Sequence, residues 1–196
     1  MNNVLENKYS IKLVCDIFLA VVASVLLAVP FILVATLVKA TSKGPVLYWS
    51  DRVGIHNNLF RMPKFRSMRV DTPAVATHLL ENAESALTPI GGFIRKSSLD
   101  EIPQLWCILG GHMSFVGPRP ALYNQHDLIK LRTKCGVHEL LPGLTGWAQI
   151  NGRDELSISE KVKYDVEYLG RRSFSLDLKI LFLTFLKVIR FQGVSH

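Results

Sequence analysis

The chain has only three cysteines, Cys15, Cys107 and Cys135, and no C-x-x-C spacing among them. An odd, scattered set argues against a disulfide framework and against a thiolate zinc site, and fits a reducing compartment. Six histidines are dispersed without an H-x-x-x-H pair, so a histidine-held metal is not expected either. Internal repeats, low-complexity tracts and linkers are missing as well, which leaves a single folded domain beyond the N-terminal segment. No recognition helix or RNA-binding aromatic motif can be picked out, so nucleic acid is not an expected partner despite the basic charge. The last absence is local: residues 17–38 contain no charged side chain at all.

What is present is a basic body joined to an apolar start. The 196 residues are 48% hydrophobic with a formal net charge of +7, and mean hydropathy is +0.23. Up to residue 38 the charges cancel, Lys8 and Lys12 against Glu6 and Asp16, so the rest of the chain carries the whole excess. Such a pairing suits anionic lipid headgroups and phosphorylated substrates.

As a helix, the uncharged run would extend about 33 Å, enough for a hydrocarbon core of about 30 Å. It is too long for the core of a signal peptide, and no small-x-small cleavage site follows it. A plain spanning helix is one reading. Two details favour another. Pro30 lies inside the run, where it removes an N–H and crowds the preceding turn. Lysines flank both ends, Lys8 and Lys12 before and Lys39 and Lys43 after, whereas a spanning helix more often shows a one-sided bias. A re-entrant hairpin with both ends on one face is compatible with both details.

Gly44-Pro45 then breaks the chain. Residues 46–50 and 59–68 read as short strands joined by a turn at His56-Asn57-Asn58. Helices are expected at 74–87, 98–109, 121–134, 155–169 and 176–191. The last of these is strongly apolar but interrupted by Lys179, Lys187 and Arg190. It is either an amphipathic helix lying in a membrane interface or a core helix of the domain. The expected class is α+β and mainly helical, with a small β-hairpin. Residues 1–43 would form the anchor and residues 44–196 the catalytic domain.

Three stretches could carry chemistry. Ser98-Leu99-Asp100-Glu101 has the spacing of a capping box, with Ser98 at the cap and Glu101 three residues on. The same stretch offers two adjacent carboxylates at a helix start, suited to magnesium and, for an ionised Asp, to attack on phosphorus. Gly117-Pro118-Arg119-Pro120 presents an arginine from a stiff loop, and a guanidinium binds phosphate bidentately. Residues 142–153 (PGLTGWAQINGR) hold three glycines among polar and aromatic residues, a pattern suggesting close backbone approach to a ligand. Lys64, Arg66, Arg95, Gln149 and Arg153 could join Arg119 around a diphosphate, although any one of them alone is as readily a surface group.

Taken together and in order, KFRSM (64–68), RKSSLDEIPQLW (95–106), MSFVGPRP (113–120), PGLTGWAQINGR (142–153) and DLKILFLTFLKVI (177–189) resemble the bacterial sugar transferase family, the monotopic phosphoglycosyl transferases. The resemblance runs over nearly the whole chain from residue 10, and the length is that of the minimal members. It implies transfer of a phosphosugar from a UDP-sugar to undecaprenyl phosphate, with release of UMP, on the cytoplasmic face of the bacterial inner membrane. It implies that Asp100 is the nucleophile of a ping-pong reaction. Glu101, with Asp100, would hold Mg2+, and Arg119 and its basic neighbours would hold phosphates. It also implies a re-entrant membrane helix broken at Pro30, amphipathic interfacial helices, and membrane lipids as partners. A homodimer would be compatible with it, and an N-acetylated hexosamine is the expected sugar for a minimal member. One departure stands out: the family commonly has Ser-Pro at the membrane break, and this chain has Val29-Pro30. The competing expectation is a non-catalytic membrane scaffold or regulator with a basic lipid-binding face, in which Asp100 and Glu101 merely cap a helix.

Overall fold

The computed structural model describes residues 2–72, 84–152 and 155–189. The helix expected at 74–87 falls mostly outside these residues, and its described end, 84–86, is a turn.

Two helices open the chain, α1 (Asn2–Leu26) and α2 (Ala28–Thr41). They meet at Leu27 with a bend of 61° between Ile11–Leu26 and Ala28–Thr41. Pro30 is the third residue of α2, and its missing N–H leaves the carbonyl one turn back without its helical donor. The Ser24 hydroxyl donates to the Ala20 carbonyl at 2.7 Å, a back-bond of the kind that loosens a helix just before a bend. No single helix among the described residues is long and apolar enough to cross a membrane. The bent pair passes the same test of length and composition when taken together.

Strands β1 (Leu47–Val53) and β2 (Leu59–Phe65) form an antiparallel hairpin with Leu47 opposite Phe65 and Val53 opposite Leu59. The turn is a single 3-10 turn, Ile55–Asn57, in which His56 and Asn57 both adopt positive φ. Asn57 is held there by donating to the Thr133 hydroxyl at 3.0 Å.

After the hairpin come α3 (Gly91–Lys96), a 3-10 helix (Leu99–Gln104) and α4 (Leu105–Leu109). The single helix expected at 98–109 is therefore two pieces, with Pro103 at the end of the tighter one. Two three-residue strands follow, β3 (Ser114–Val116) and β4 (Gly143–Thr145), paired in parallel. Between them lie α5 (His126–Lys134) and a 3-10 turn (Val137–Glu139). The chain ends with α6 (Trp147–Ile150), α7 (Ile158–Arg171) and α8 (Phe174–Ile189). This is the mainly helical α+β architecture expected from sequence, with one addition, the β3–β4 pair.

The principal core joins the two N-terminal helices to the rest. Ala20, Val34 and Val38 are buried against Met62, Phe65, Ile94, Ile108 and Met113. At the bend, Phe31 lies 4.9 Å from Phe65 and 5.6 Å from Trp106 between ring centroids, a tilted aromatic cluster of favourable geometry. A second core gathers Val116, Leu140, Ile150, Tyr168 and Ile180 around β3 and α8. The outer sides of α1, α2 and α8 stay apolar and uncovered, with Phe18, Val25, Ile32, Phe174 and Phe182 each more than 60% exposed.

A polar knot ties α1 to the far end of the chain. Lys12 donates to Asp177 at 2.6 Å, and the Tyr168 hydroxyl donates to the other Asp177 oxygen at 2.7 Å. Asp16 accepts from the Phe115 backbone N–H at 3.4 Å.

Candidate active site

The 3-10 helix Leu99–Gln104 presents its two carboxylates toward β2. Asp100 is 7% exposed. Lys64, near the end of β2, donates its 2.8 Å bond to Glu101 Oε1 and stands 3.8 Å from Asp100 Oδ2. The Arg119 guanidinium reaches the same Glu101 oxygen at 3.3 Å. Four of the residues singled out in the sequence, Asp100, Glu101, Lys64 and Arg119, thus converge. Arg95, on α3, is close enough for its charge to act on Asp100.

The capping box read at Ser98 and Glu101 does not form. Ser98 sits in the left-handed region (φ 57°) and its side chain caps nothing; only its carbonyl accepts, from the Glu101 N–H at 3.1 Å. Glu101 is free of a capping role because Lys64 and Arg119 draw its side chain the other way. A capping box does exist elsewhere, at the start of α7, between Ser157 and Glu160.

Burial dominates the electrostatics. It pushes the Asp100 carboxyl up to about 6, with adjacent Glu101 adding to the rise and Lys64, Arg95 and Arg119 opposing it. Burial pushes the Lys64 ammonium down, while Glu101 and Asp100 pull it back. The two carboxylates are matched in number by Lys64 and Arg119, so it is removal from water, and not an excess of negative charge, that lifts Asp100.

Arg119 projects from a loop whose carbonyls are gripped in succession. Gly143 N–H donates to Pro118 O at 2.9 Å, Arg132 Nη1 to Arg119 O at 2.8 Å, Arg52 Nη1 to Pro120 O at 3.1 Å, and Val53 N–H to Ala121 O at 2.9 Å. Two of the three glycines of 142–153 owe their identity to this packing, while Gly152 adopts a positive φ of 151°. A Cβ on Gly143 would lie 2.1 Å from Gly117 N, and one on Gly146 would lie 2.0 Å from Gly117 O. They admit a neighbouring backbone segment, where the sequence suggested a ligand.

The remaining candidates lie apart from this cluster or beyond description. Arg66 donates to the Pro45 carbonyl at 2.7 Å and to the Ser42 carbonyl and hydroxyl at 3.1 and 2.8 Å. Its guanidinium is engaged by two carbonyls and a hydroxyl that pin the segment leaving α2, away from the Asp100 cluster where it was expected. Gln149 is buried on α6, and neither its amide oxygen nor its nitrogen has a hydrogen-bond partner among the described residues. Arg153 lies outside the described residues.

Sequence reading missed Arg52, Arg132 and Asp165. Arg132 donates from Nε to Asp165 Oδ2 at 2.9 Å, and its Nη2 lies 2.7 Å from the same oxygen. Arg52 braces the loop and its charge also acts on Lys64. No local pattern marks them, because each meets its partner from a distant part of the chain.

The sequence profile described as Bacterial sugar transferase matches residues 7–191, nearly the whole chain. The chain belongs to that family. Among sugar transferases, an uncharacterized sugar transferase EpsL of Bacillus subtilis (strain 168) is 44% identical over 154 residues, covering 78% of this chain and 74% of the relative. A UDP-glucose:undecaprenyl-phosphate glucose-1-phosphate transferase of Escherichia coli (strain K12) is 39% identical over 180 residues, 88% of this chain and 39% of the relative. Its counterpart from Xanthomonas campestris pv. campestris is 39% identical over 186 residues. The chain thus spans under two fifths of the length of these two glucose-1-phosphate transferases, at 39% and 38%.

The residues present fit a magnesium ion. No group of three or more His, Cys, Asp or Glu side chains able to hold a metal occurs among the described residues. Magnesium, however, commonly takes only one or two carboxylates and completes its shell with water and substrate phosphates. Asp100 and Glu101 supply that pair, and a cation already bridges the space between them, the ammonium of Lys64.

Proposed function

We propose that this sugar transferase moves a phosphosugar from a UDP-sugar onto undecaprenyl phosphate, releasing UMP, through a covalent intermediate on Asp100. The observation that carries the reading is the buried Asp100 beside the partly buried Glu101, set against Lys64 and Arg119 in a chain of this family. An ionised Asp100 oxygen attacks the β-phosphorus of the donor. An O–P bond to Asp100 forms, the bridging bond to the α-phosphate breaks, and its electron pair leaves with UMP. The acceptor phosphate then attacks the same phosphorus, and the Asp100 carboxylate departs unchanged. Covalent catalysis lets a water-soluble donor and a lipid acceptor use one site in turn.

Each neighbour has a part. Lys64 and Arg119, now shared on Glu101, turn toward phosphate oxygens when the donor enters. Glu101 and Asp100 would hold magnesium, which when bound neutralises the diphosphate and makes UMP a better leaving group. Two relatives carry UDP-glucose in their names and a third is named a galactosyl transferase, so UDP-glucose is the first donor to try beside UDP-galactose and the N-acetylated hexosamine expected of a minimal member. A relative named exopolysaccharide production protein ExoY, of Rhizobium meliloti (strain 1021), makes exopolysaccharide the favoured product class.

The bent pair α1–α2 serves as a re-entrant anchor in the inner membrane, entering and leaving by the cytoplasmic face. Its exposed apolar side and that of α8 support this reading. UMP release measured with a panel of UDP-sugars and undecaprenyl phosphate, against Asp100→Asn as control, tests the whole proposal. Release that survives the substitution overturns the covalent route, and membrane binding without any release leaves a scaffold.

A further inference from the structure

We propose that Arg132, itself fixed by Asp165, is a positioning residue that aims the Arg119 guanidinium by holding its main-chain carbonyl. The inference rests on the proposed function and adds to it a control point on other elements, α5 and α7.

Three observations carry it. First, the contact is specific. Arg132 spends Nη1 on Arg119 O at 2.8 Å and turns Nε and Nη2 to Asp165 at 2.9 and 2.7 Å. The planar fork is thereby held on both sides and cannot swing. Second, the charge of Arg132 is settled locally by Asp165, which is 2% exposed. The pair therefore acts on the loop by geometry and adds little positive field to it. Third, the packing around Arg119 is not complete. A cavity of about 30 Å³ lies there, lined by Pro118, Arg119, Ile129, Arg132 and His138 among others. That volume admits a water or two, so the Arg119 peptide has room to tilt once its own carbonyl is released, while the carbonyls of Pro118, Pro120 and Ala121 stay held. A displacement of 1 Å at a phosphate-binding arginine is enough to cost most of its benefit.

Breaking only one partner would leave a buried charge unpaired and endanger folding, so both are replaced together by apolar residues of similar size. The test compares four proteins: the natural chain, Arg132→Met with Asp165→Leu, Arg119→Ala, and the three substitutions combined. In each, kcat/KM for UMP release is measured, and melting is followed to show that the fold persists. UDP-glucose affinity is titrated in the same set carrying Asp100→Asn, where no turnover intervenes. The expected result is a loss of about tenfold from the apolar pair when Arg119 is present, and less than twofold when Arg119 is already alanine. Losses that multiply in full, or an apolar pair that turns over like the natural chain, overturn the proposal. Turnover by the natural chain alone reports separately on the proposed function.

Discussion

Asp100 and Asp165 are both buried carboxylates whose protonation burial favours, yet they meet their cations in opposite ways. Asp165 accepts two short contacts from Arg132, at 2.9 and 2.7 Å. Asp100 has the Lys64 ammonium at 3.8 Å, and that ammonium gives its close bond to Glu101. A buried charge met by a bidentate arginine is settled, and removing its partner costs folding. A buried charge whose cation is committed next door remains available to a substrate. The difference separates a braced carboxylate from the one proposed here as the nucleophile.

The comparison breaks most sharply at Asp100. Asp100→Asn is expected to lower UMP release by about a thousandfold or more, and Asp100→Glu should do nearly as badly because the attacking oxygen moves. Next comes the proposed magnesium: chelation with EDTA is expected to abolish release in the natural chain, and Glu101→Gln to lower it by about a hundredfold while raising the magnesium concentration needed for half-maximal rate.

A third prediction uses pH. In the proposed reaction Asp100 attacks ionised, so kcat/KM is expected to fall as pH drops through about 6, lower when magnesium is bound. Lys64→Met removes the largest opposing charge, so this acid limb moves to higher pH by about one unit. An unmoved limb in that variant would show that Asp100 does not set it.

The smallest expected effect is on stability, and its sign is opposite to that on activity. Asp100 has a folded pKa above its unfolded value of 3.8. Its contribution to stability is therefore fully present below pH 3.8 and is lost as pH rises through about 6. The neutral Asp100→Asn protein escapes that loss. With magnesium removed, its Tm at pH 8 should exceed that of the natural chain by about 5 °C, with the gap closing near pH 4. Asp165→Asn should instead melt lower at every pH above the carboxylate range.

Much of the site was legible before any coordinates. The hairpin was announced by two apolar runs around His56-Asn57-Asn58, and Lys64, Asp100, Glu101 and Arg119 by short motifs in order. What stayed hidden depends on convergence. Lys64 lies on β2 and Arg66 just past its end, and only the path of residues 42–45 decides that Arg66 is engaged by the Pro45 and Ser42 carbonyls and the Ser42 hydroxyl. Ser98 satisfies the spacing of a capping box, but a left-handed backbone at that position and the pull of Lys64 on Glu101 cancel it. The β3–β4 pair has three residues on each side, too few for alternation to register, and its glycines answer to one another across the fold. Arg132 and Asp165 carry no motif because one sits on α5 and the other on α7.

Phe31, wedged at the bend between Phe65 and Trp106, has a practical corollary. Cutting the chain after α2 would strip the lid from Met62, Phe65 and Ile108, the same apolar floor that supports Lys64 and the Asp100 turn. A catalytic fragment trimmed for ease of handling would then aggregate through the surface it needs for shape. For purification and crystallisation, α1 and α2 should therefore be kept with the domain, since their inner faces, through Ala20, Val34 and Val38, are part of its core.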